Sequence, residues 1–314
     1  MTNQNPINEQ YLLNINFKYN LNEKILLGLT LLVSLAMNAQ ILSVKSTTKV
    51  AIPAGVKVST AQLSPDGKWA VISHQSSMGL DKIDLSTNKL TRISDTGNGF
   101  DLKISGDNNT VIFRESNYGT DKRRYTTLKS VNISTGATKV VSPTTRDTRV
   151  FATDAAKALK ANAGTFVGEA TRPVASINRG SMYITQNGIT TLVAPQGVEG
   201  KSYLWPQVSP DGKKILYFVV GEGCFVCNID GSNPVAQGVL RAPVWYDNNV
   251  IIGMDHKDDG RVTTSSKLIA KNINGSTTQV LTTSDVKAMY PSAGSNKISF
   301  VTPEGELYVI NISK

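Results

Sequence analysis

The sequence predicts an all-β fold, a six-bladed β-propeller of four-stranded antiparallel blades, on three observations. The turn motif Leu63-Ser64-Pro65-Asp66-Gly67-Lys68 returns as Val208-Ser209-Pro210-Asp211-Gly212-Lys213. The segments between turns alternate apolar and polar residues and are joined by Asn, Asp and Gly, which is the pattern of strands and hairpins. The turns also recur with the repeat length of a blade. They align at Asp66, Asp107, Asp154, Asp211, Asp247 and Ser295, about 46 residues apart on average.

The turn motif has a local explanation. Pro65 presets φ, Asp66 can bond to its own backbone, and Gly67 accepts a positive φ, while an apolar run follows directly. The motif therefore encodes one strand, a tight turn and a second strand.

Each unit is predicted to repeat this pattern, with two exceptions. In the third unit Ala155–Ala161 consists of good helix formers, which predicts a short helical insertion. The last unit contains only three strand signals before the chain ends at Lys314. An unpaired sheet edge is unfavourable, so we expect the alternating stretch Ile41–Ala51 to supply the fourth strand and close the ring.

Length and composition are compatible with one large β domain or two smaller ones, and the repeat pattern predicts a single β-propeller domain over residues 40–314. The chain has 314 residues, of which 40% are hydrophobic and 18% charged, as in ordinary globular proteins. The formal net charge is +9, but the basic residues are scattered rather than clustered in runs. Charge alone therefore does not indicate nucleic acid.

Residues 1–39 are predicted to be a leader and signal peptide. Lys24 precedes the apolar run Ile25–Ala36, and small residues at Ala36 and Ala39 offer two cleavage positions. The run is shorter than the roughly 20 residues that span a bilayer, so an uncleaved transmembrane helix is the weaker alternative. We expect a periplasmic or secreted protein with no transmembrane helix after cleavage.

Candidate catalytic and metal-binding groups are few. Cys224 and Cys227 have no second cysteine pair for zinc, and on a strand they face opposite sides, which predicts inert thiols. The two histidines, His74 and His256, are interpreted as ordinary loop residues. The acidic stretch Asp255–Gly260 does not have the spacing of a calcium loop. We predict no catalytic residue, no metal and no cofactor.

The two complete turn motifs, each followed by an apolar strand and then Ile-Asp, resemble the repeats of TolB-like six-bladed β-propellers. The resemblance covers nearly all of Gln40–Lys314, although the other four turns keep only part of the motif. It implies an exported or periplasmic scaffold that binds proteins or glycans.

Binding is predicted on one face of the ring. In a four-stranded blade the first and third turns lie on one face, and the second turn and the connection to the next blade lie on the other. The longer segments belong to this second face, and long loops on a rigid scaffold are common binding sites. The candidate residues are Arg114, Tyr118, Lys122, Arg123, Arg124, Tyr125, Arg172, Arg179, Trp205 and Arg261.

These residues are basic and aromatic, which predicts an acidic protein or an anionic glycan of the cell envelope as the partner. The predicted compartment argues against nucleic acid, and we expect a monomer. One alternative is that the basic residues only solubilise the protein. Another is a propeller-based carbohydrate-active enzyme, a lyase or hydrolase with a metal or histidine at the mouth of the ring.

Overall fold

The computed structural model describes residues 40–75, 79–95, 98–146, 151–154, 157–162, 165–167 and 172–313. These residues form strands and turns and include no helix, which confirms the all-β class. The predicted signal peptide lies outside the described residues. In chain order the strands are β1 (Val44–Lys49), β2 (Val58–Leu63), β3 (Trp69–His74), β4 (Leu80–Asp84), β5 (Leu90–Ser94), β6 (Asn98–Ile104), β7 (Thr110–Tyr118), β8 (Arg124–Asn132), β9 (Thr138–Thr145), β10 (Phe151–Asp154), β11 (Lys157–Asn162), β12 (Thr165–Val167), β13 (Val174–Asn178), β14 (Ser181–Gln186), β15 (Ile189–Val193), β16 (Tyr203–Val208), β17 (Lys214–Val219), β18 (Gly223–Asn228), β19 (Val235–Gly238), β20 (Arg241–Trp245), β21 (Val250–Asp258), β22 (Thr263–Asn272), β23 (Thr278–Val280), β24 (Met289–Gly294), β25 (Lys297–Val301) and β26 (Leu307–Ile312).

Five of the six predicted blades are four-stranded antiparallel sheets. In chain order they are β2–β5, β6–β9, β16–β19, β20–β23 and the last blade, β24–β26 with β1. In the first four of these sheets the strands are neighbours in chain order, and in the last blade β24, β25 and β26 are followed by β1. The third unit instead contains two three-stranded sheets, β10–β12 and β13–β15.

The N-terminal strand closes the ring as predicted. β1 pairs antiparallel with β26 and becomes the outer strand of the last blade, with Thr47 opposite Ile310. Further backbone bonds at the two ends of the strand run from Ser313 N to Ser43 O at 2.7 Å and from Val50 N to Leu307 O at 2.8 Å. The first and last described segments of the propeller therefore share one sheet.

The Ser-Pro-Asp-Gly turns have the predicted geometry. Ser64 is fully buried, and its hydroxyl donates to Asp66 Oδ1 at 2.6 Å, while Gly67 has a φ of 68°. Asp66 N donates to Asn108 Oδ1 in the next blade's turn at 2.9 Å. Asp211 N donates in the same way to Asn248 Oδ1, also at 2.9 Å. Equivalent turns of neighbouring blades are therefore linked on one face, so their inner strands run side by side.

The helical insertion predicted at Ala155–Ala161 is wrong. β11 covers most of this segment and pairs with both β10 and β12. An isolated helix needs about 12–15 residues to be even marginally stable, so a short run of helix formers yields to backbone pairing with its neighbours.

β13–β15 form the outer part of the third blade. Tyr203 N, at the start of β16, donates to the carbonyl oxygen of Gly180, in the turn that follows β13, at 2.8 Å. At the other end of β13 the Arg172 side chain donates to Pro210 O, directly after β16. β13 thus runs antiparallel to the inner strand of the next blade, as a second strand does. With β13–β15 counted as the third blade, the ring has the six predicted blades. The sheet β10–β12 is then an additional sheet between the second blade and the third blade.

The last and first blades approach each other closely. A Cβ atom on Gly294 would lie 2.4 Å from Ser64 O, so only glycine fits there. Around this contact the apolar side chains of both blades form one cluster, including Val58, Leu63 and Val301. Side-chain packing between the first and last blades therefore closes the ring together with the pairing of β1 and β26.

Aspartates in the turns make stability dependent on pH. Asp84 Oδ1 accepts bonds from the Ser86 hydroxyl at 2.6 Å and from Ser86 N and Thr87 N at 2.9 Å each, which lowers its pKa well below that of a free aspartate. Similar bonds lower the pKa of Asp211 and Asp230.

A lowered folded-state pKa stabilises the protein above the unfolded-state pKa of about 3.9, and this contribution is lost as pH falls through the folded-state value. We therefore expect the melting temperature to fall progressively below about pH 4. Asp84→Asn should show a smaller fall between pH 5 and pH 2.5 than the wild type. The control is Asp95→Asn, which removes an exposed carboxylate. An equal fall of the melting temperature in the wild type and in Asp84→Asn would contradict a stabilising role of the ionised Asp84 side chain.

Candidate functional site

Three successive inner strands, β16, β20 and β24, carry the same bulge. Each contains a residue followed by proline, namely Trp205, Ala242 and Tyr290, and each of these residues has a positive φ, of 49°, 46° and 52°. The strand register shifts at each of the three positions. A bulge re-aims a side chain, and a non-glycine residue in this conformation costs on the order of 1–3 kcal/mol. Backbone strain of this kind is concentrated at functional sites, so the surface formed by these three residues is a candidate functional site.

The surface is the mouth of the central channel. Trp205 and Tyr290 are 58% and 45% exposed, unusually high for large aromatic side chains. They line a cavity of about 1110 Å³ together with Ala242, residues of β2 and β6, and the hairpin between β21 and β22. A second cavity of about 550 Å³ adjoins it, shares Tyr290 and adds Lys287.

The three bulged strands are held to one another. Gln207 Nε2 donates to Pro243 O at 2.7 Å, and Trp245 Nε1 donates to Gln207 O at 3.0 Å, which ties β16 to β20. Tyr290 N donates to Met254 Sδ at 3.2 Å, which ties β24 to the blade of β20. Trp205 also packs on Phe218, with ring centroids 5.5 Å apart. The aromatic walls of the mouth are therefore fixed by neighbouring elements.

Three polar side chains of the fifth blade, those of Arg241, His256 and Asp258, line the same cavity. His256 Nε2 lies 3.4 Å from Asp258 Oδ2, and Arg241 Nη2 lies 3.4 Å from the same oxygen. The His256 side chain is 8% exposed, and its Nδ1 is buried without a hydrogen-bond partner in the part of the chain that the structure describes. Arg261 lies at the exposed end of the hairpin and also lines the cavity. The mouth thus combines aromatic faces, two guanidinium groups, one carboxylate and an unpaired imidazole nitrogen.

Of the predicted binding residues, Trp205 and Arg261 line this cavity. Five others lie at the tip of a long ribbon formed by β7 and β8, where Tyr118 pairs with Arg124. The ribbon tip belongs to the same face of the ring but does not line the cavity. These five residues are Tyr118, Lys122, Arg123, Arg124 and Tyr125.

The ribbon tip is locally ordered by Asp121. The Tyr125 hydroxyl donates to Asp121 Oδ2 at 2.9 Å, which raises the pKa of Tyr125, and Arg123 Nε lies 3.8 Å from the same oxygen. Lys122 occupies the turn with a φ of 59°. Asp121 therefore offsets part of the positive charge at the tip.

The remaining three predicted residues lie neither in the cavity nor at the ribbon tip. Arg114 is 5% exposed within β7, because the polar segment expected to be a loop continues the strand. Arg172 lies beside Pro210 in a Ser-Pro-Asp-Gly turn, on the face opposite the channel mouth. Arg179 is exposed in the turn between β13 and β14, on the predicted face.

Tyr290 is not among the residues predicted from the sequence, and the interpretation of both histidines as loop residues is wrong. His74 ends β3, and its Nε2 lies 2.6 Å from Asp81 Oδ2, while His256 lies within β21. A usable signal was present, since a residue followed by proline recurs at one position of three units. It could have pointed to Trp205 and Tyr290 together.

The cysteines are buried, free and separate. Cys224 Sγ donates to Leu240 O at 3.1 Å. Burial raises the pKa of both thiols, that of Cys227 to about 12, so neither is a reactive thiolate. Among the described residues no group of three or more His, Cys, Asp or Glu side chains is placed to hold a metal ion. The same part of the chain contains no helix able to cross a membrane.

Comparisons with known proteins identify the class of fold. No family model matches the chain, and no curated protein sequence matches it. A chain of the mitotic checkpoint complex is similar in structure, with a TM-score of 0.57 and 9% identity over 87% of this chain and 96% of that chain. This likeness agrees with the β-propeller described above.

Two other solved structures are similar at lower scores. Oligogalacturonate lyase from Vibrio parahaemolyticus has a TM-score of 0.46 and 15% identity, covering 83% of this chain and 80% of that chain. TolB from Acinetobacter baumannii has a TM-score of 0.48 and 15% identity, covering 80% of this chain and 56% of that chain.

Proposed function

We propose that this β-propeller is an exported binding protein that holds an anionic partner, an acidic protein segment or an anionic glycan, at the channel mouth. The observation that carries the proposal is the convergence of Trp205, Tyr290, Arg241 and Arg261 on one cavity. Concave sites with aromatic walls and a few charged groups are typical ligand sites. Of the described residues that line the cavity, Asp258 alone carries a carboxylate, against two arginines, so the mouth favours an anionic ligand.

The basic ribbon tip supports the same partner from the rim. Lys122, Arg123 and Arg124 are exposed there. Charges at a rim mainly steer association and make it sensitive to salt, because the screening length falls from about 10 Å at 0.1 M to about 3 Å at 1 M. The mouth would then supply affinity and the ribbon would supply association rate.

The proposed location is the cell envelope or the extracellular space, supported by Lys24 and the apolar run that follows it. Mass spectrometry of the native N-terminus tests export. We expect a first residue of Met37 or Gln40, and a mature protein that retains Met1 would contradict export.

A pair of charge reversals tests the binding site. Arg261→Glu with Lys287→Glu should weaken binding of a polyuronate or polyglutamate probe at least about tenfold, because two cations beside the aromatic walls become anions. Titration calorimetry at 50 mM and 300 mM salt measures the affinity and its salt dependence.

The matched control is Lys68→Glu with Lys213→Glu. It makes the same change in net charge at exposed positions on the opposite face. We expect this variant to bind within about threefold of the wild type. Equal losses in the two variants would mean that only net charge matters and would contradict a site at the mouth.

A second candidate function is acid–base catalysis at the same mouth. It is favoured by the unpaired Nδ1 of His256, whose other ring nitrogen faces Asp258. A carboxylate that orients a histidine is a common arrangement for a general base. Shortening of the glycan probe during incubation, lost in His256→Leu, would favour this candidate over binding alone.

A further inference from the structure

We infer that the channel mouth contains a binding slot for one acidic sugar ring, walled by Trp205 and Tyr290 and floored by Ala242. This inference rests on the proposed function and selects an anionic glycan over an acidic protein segment.

The slot follows from the repeated bulge. The three bulge residues come from successive blades, and all of them line the same cavity. The middle one, Ala242, carries only a methyl group, so its strand leaves space in the cavity between the two neighbouring strands that carry the exposed aromatic side chains. An aromatic face packs well against a flat apolar ligand surface, and the C–H face of a pyranose ring is such a surface.

Polar groups come from the same blade as the floor of the slot. His256 Nε2 lies 3.4 Å from Asp258 Oδ2, which favours a proton on Nε2 and leaves Nδ1 as an acceptor in the neutral imidazole. Nδ1 is buried and unpaired among the described residues. His256 lines the cavity, and because the second side-chain torsion of histidine is broad, a rotation of the ring would bring Nδ1 to the cavity surface. A ligand that satisfies this nitrogen must carry a donor such as a hydroxyl group.

Arg261 supplies the group for an anion. Arg241 is compensated by Asp258, whereas Arg261 is exposed and forms no ion pair within the described residues. A guanidinium binds a carboxylate with two parallel hydrogen bonds. A uronic acid combines these features, because it has a ring with an apolar face, hydroxyl donors and a carboxylate. A glutamate side chain has the carboxylate but neither the ring nor the hydroxyl.

The test is calorimetric titration of the full mature chain with defined hexamers. The probes are hexasaccharides of galacturonic and of mannuronic acid, neutral maltohexaose and hexaglutamate. We expect at least one uronate hexamer to bind about tenfold or more tightly than hexaglutamate, and maltohexaose to bind weakly or not at all.

Two variants at the floor give matched controls. Ala242→Leu fills the slot and should weaken uronate binding about tenfold or more. Ala242→Gly keeps the slot open and accepts the positive φ, so binding should stay within about threefold. His256→Leu should weaken uronate binding more than hexaglutamate binding, and circular dichroism confirms that each variant is folded.

The outcomes separate this inference from the proposed function. Equal binding of hexaglutamate and the uronates, with no effect of Ala242→Leu, would overturn the sugar slot while leaving an anion-binding mouth. Binding of maltohexaose as tight as that of the uronates would overturn the role of Arg261. Failure of every anionic probe to bind would overturn both the inference and the proposed function.

Discussion

Removal of Ile41–Ala51 is expected to abolish cooperative unfolding, because this segment supplies the outer strand that joins the two ends of the propeller. All six side chains of β1 are exposed, so its contribution comes from backbone pairing with β26 and from the residues that flank it. Leu42 and Val50 are buried at 6% and 8% exposure. Gln279 also fixes the start of the segment, since its Oε1 accepts bonds from Ile41 N at 2.7 Å and Leu42 N at 2.8 Å.

The loss of stability on removal of this segment should exceed the summed contributions of these contacts. Without β1, strand β26 becomes an unpaired edge with buried residues on one side, which favours aggregation. The measurement is urea unfolding followed by tryptophan fluorescence and circular dichroism, compared with a chain that begins at Gln40. A control that replaces Thr47 and Thr48 with valine keeps the strand and should keep one sharp transition. An unchanged midpoint and slope in the truncated chain would show that the ring does not depend on this strand.

The closing strand was predictable because a count of strands left one edge empty. Ile41–Ala51 was the one alternating stretch without a partner, and pairing between chain ends does not depend on side-chain detail. The third unit was less predictable, since helix propensity is worth less than about 1 kcal/mol per residue and backbone pairing overrides it. Local preference in Ala155–Ala161 therefore gave no indication of β11.

The site was predictable only in part. Trp205 and Arg261 could be placed near the mouth because blade topology fixes the face on which each connection lies. Arg114 could not, because a polar run resembles a loop although β7 and β8 extend through it as a paired ribbon. His256 was missed because its burial depends on how far β21 extends beyond the blade, a length that tertiary pairing decides.

Phe300→Ala is expected to destabilise the fold by about 3–5 kcal/mol, the usual cost of removing a buried phenylalanine. Phe300 is 1% exposed in β25, and its ring stacks on that of Tyr308 with centroids 5.1 Å apart. It belongs to the apolar cluster that joins the last blade to its neighbour. Phe300→Leu fills much of the space and should cost less than half as much.

The matched control is Tyr290→Ala, which removes a half-exposed aromatic ring from the adjacent strand and should change the free energy of unfolding by less than about 1 kcal/mol. Equal losses for Phe300→Ala and Tyr290→Ala in urea unfolding would show that the seam between the last blade and its neighbour is not packed as described.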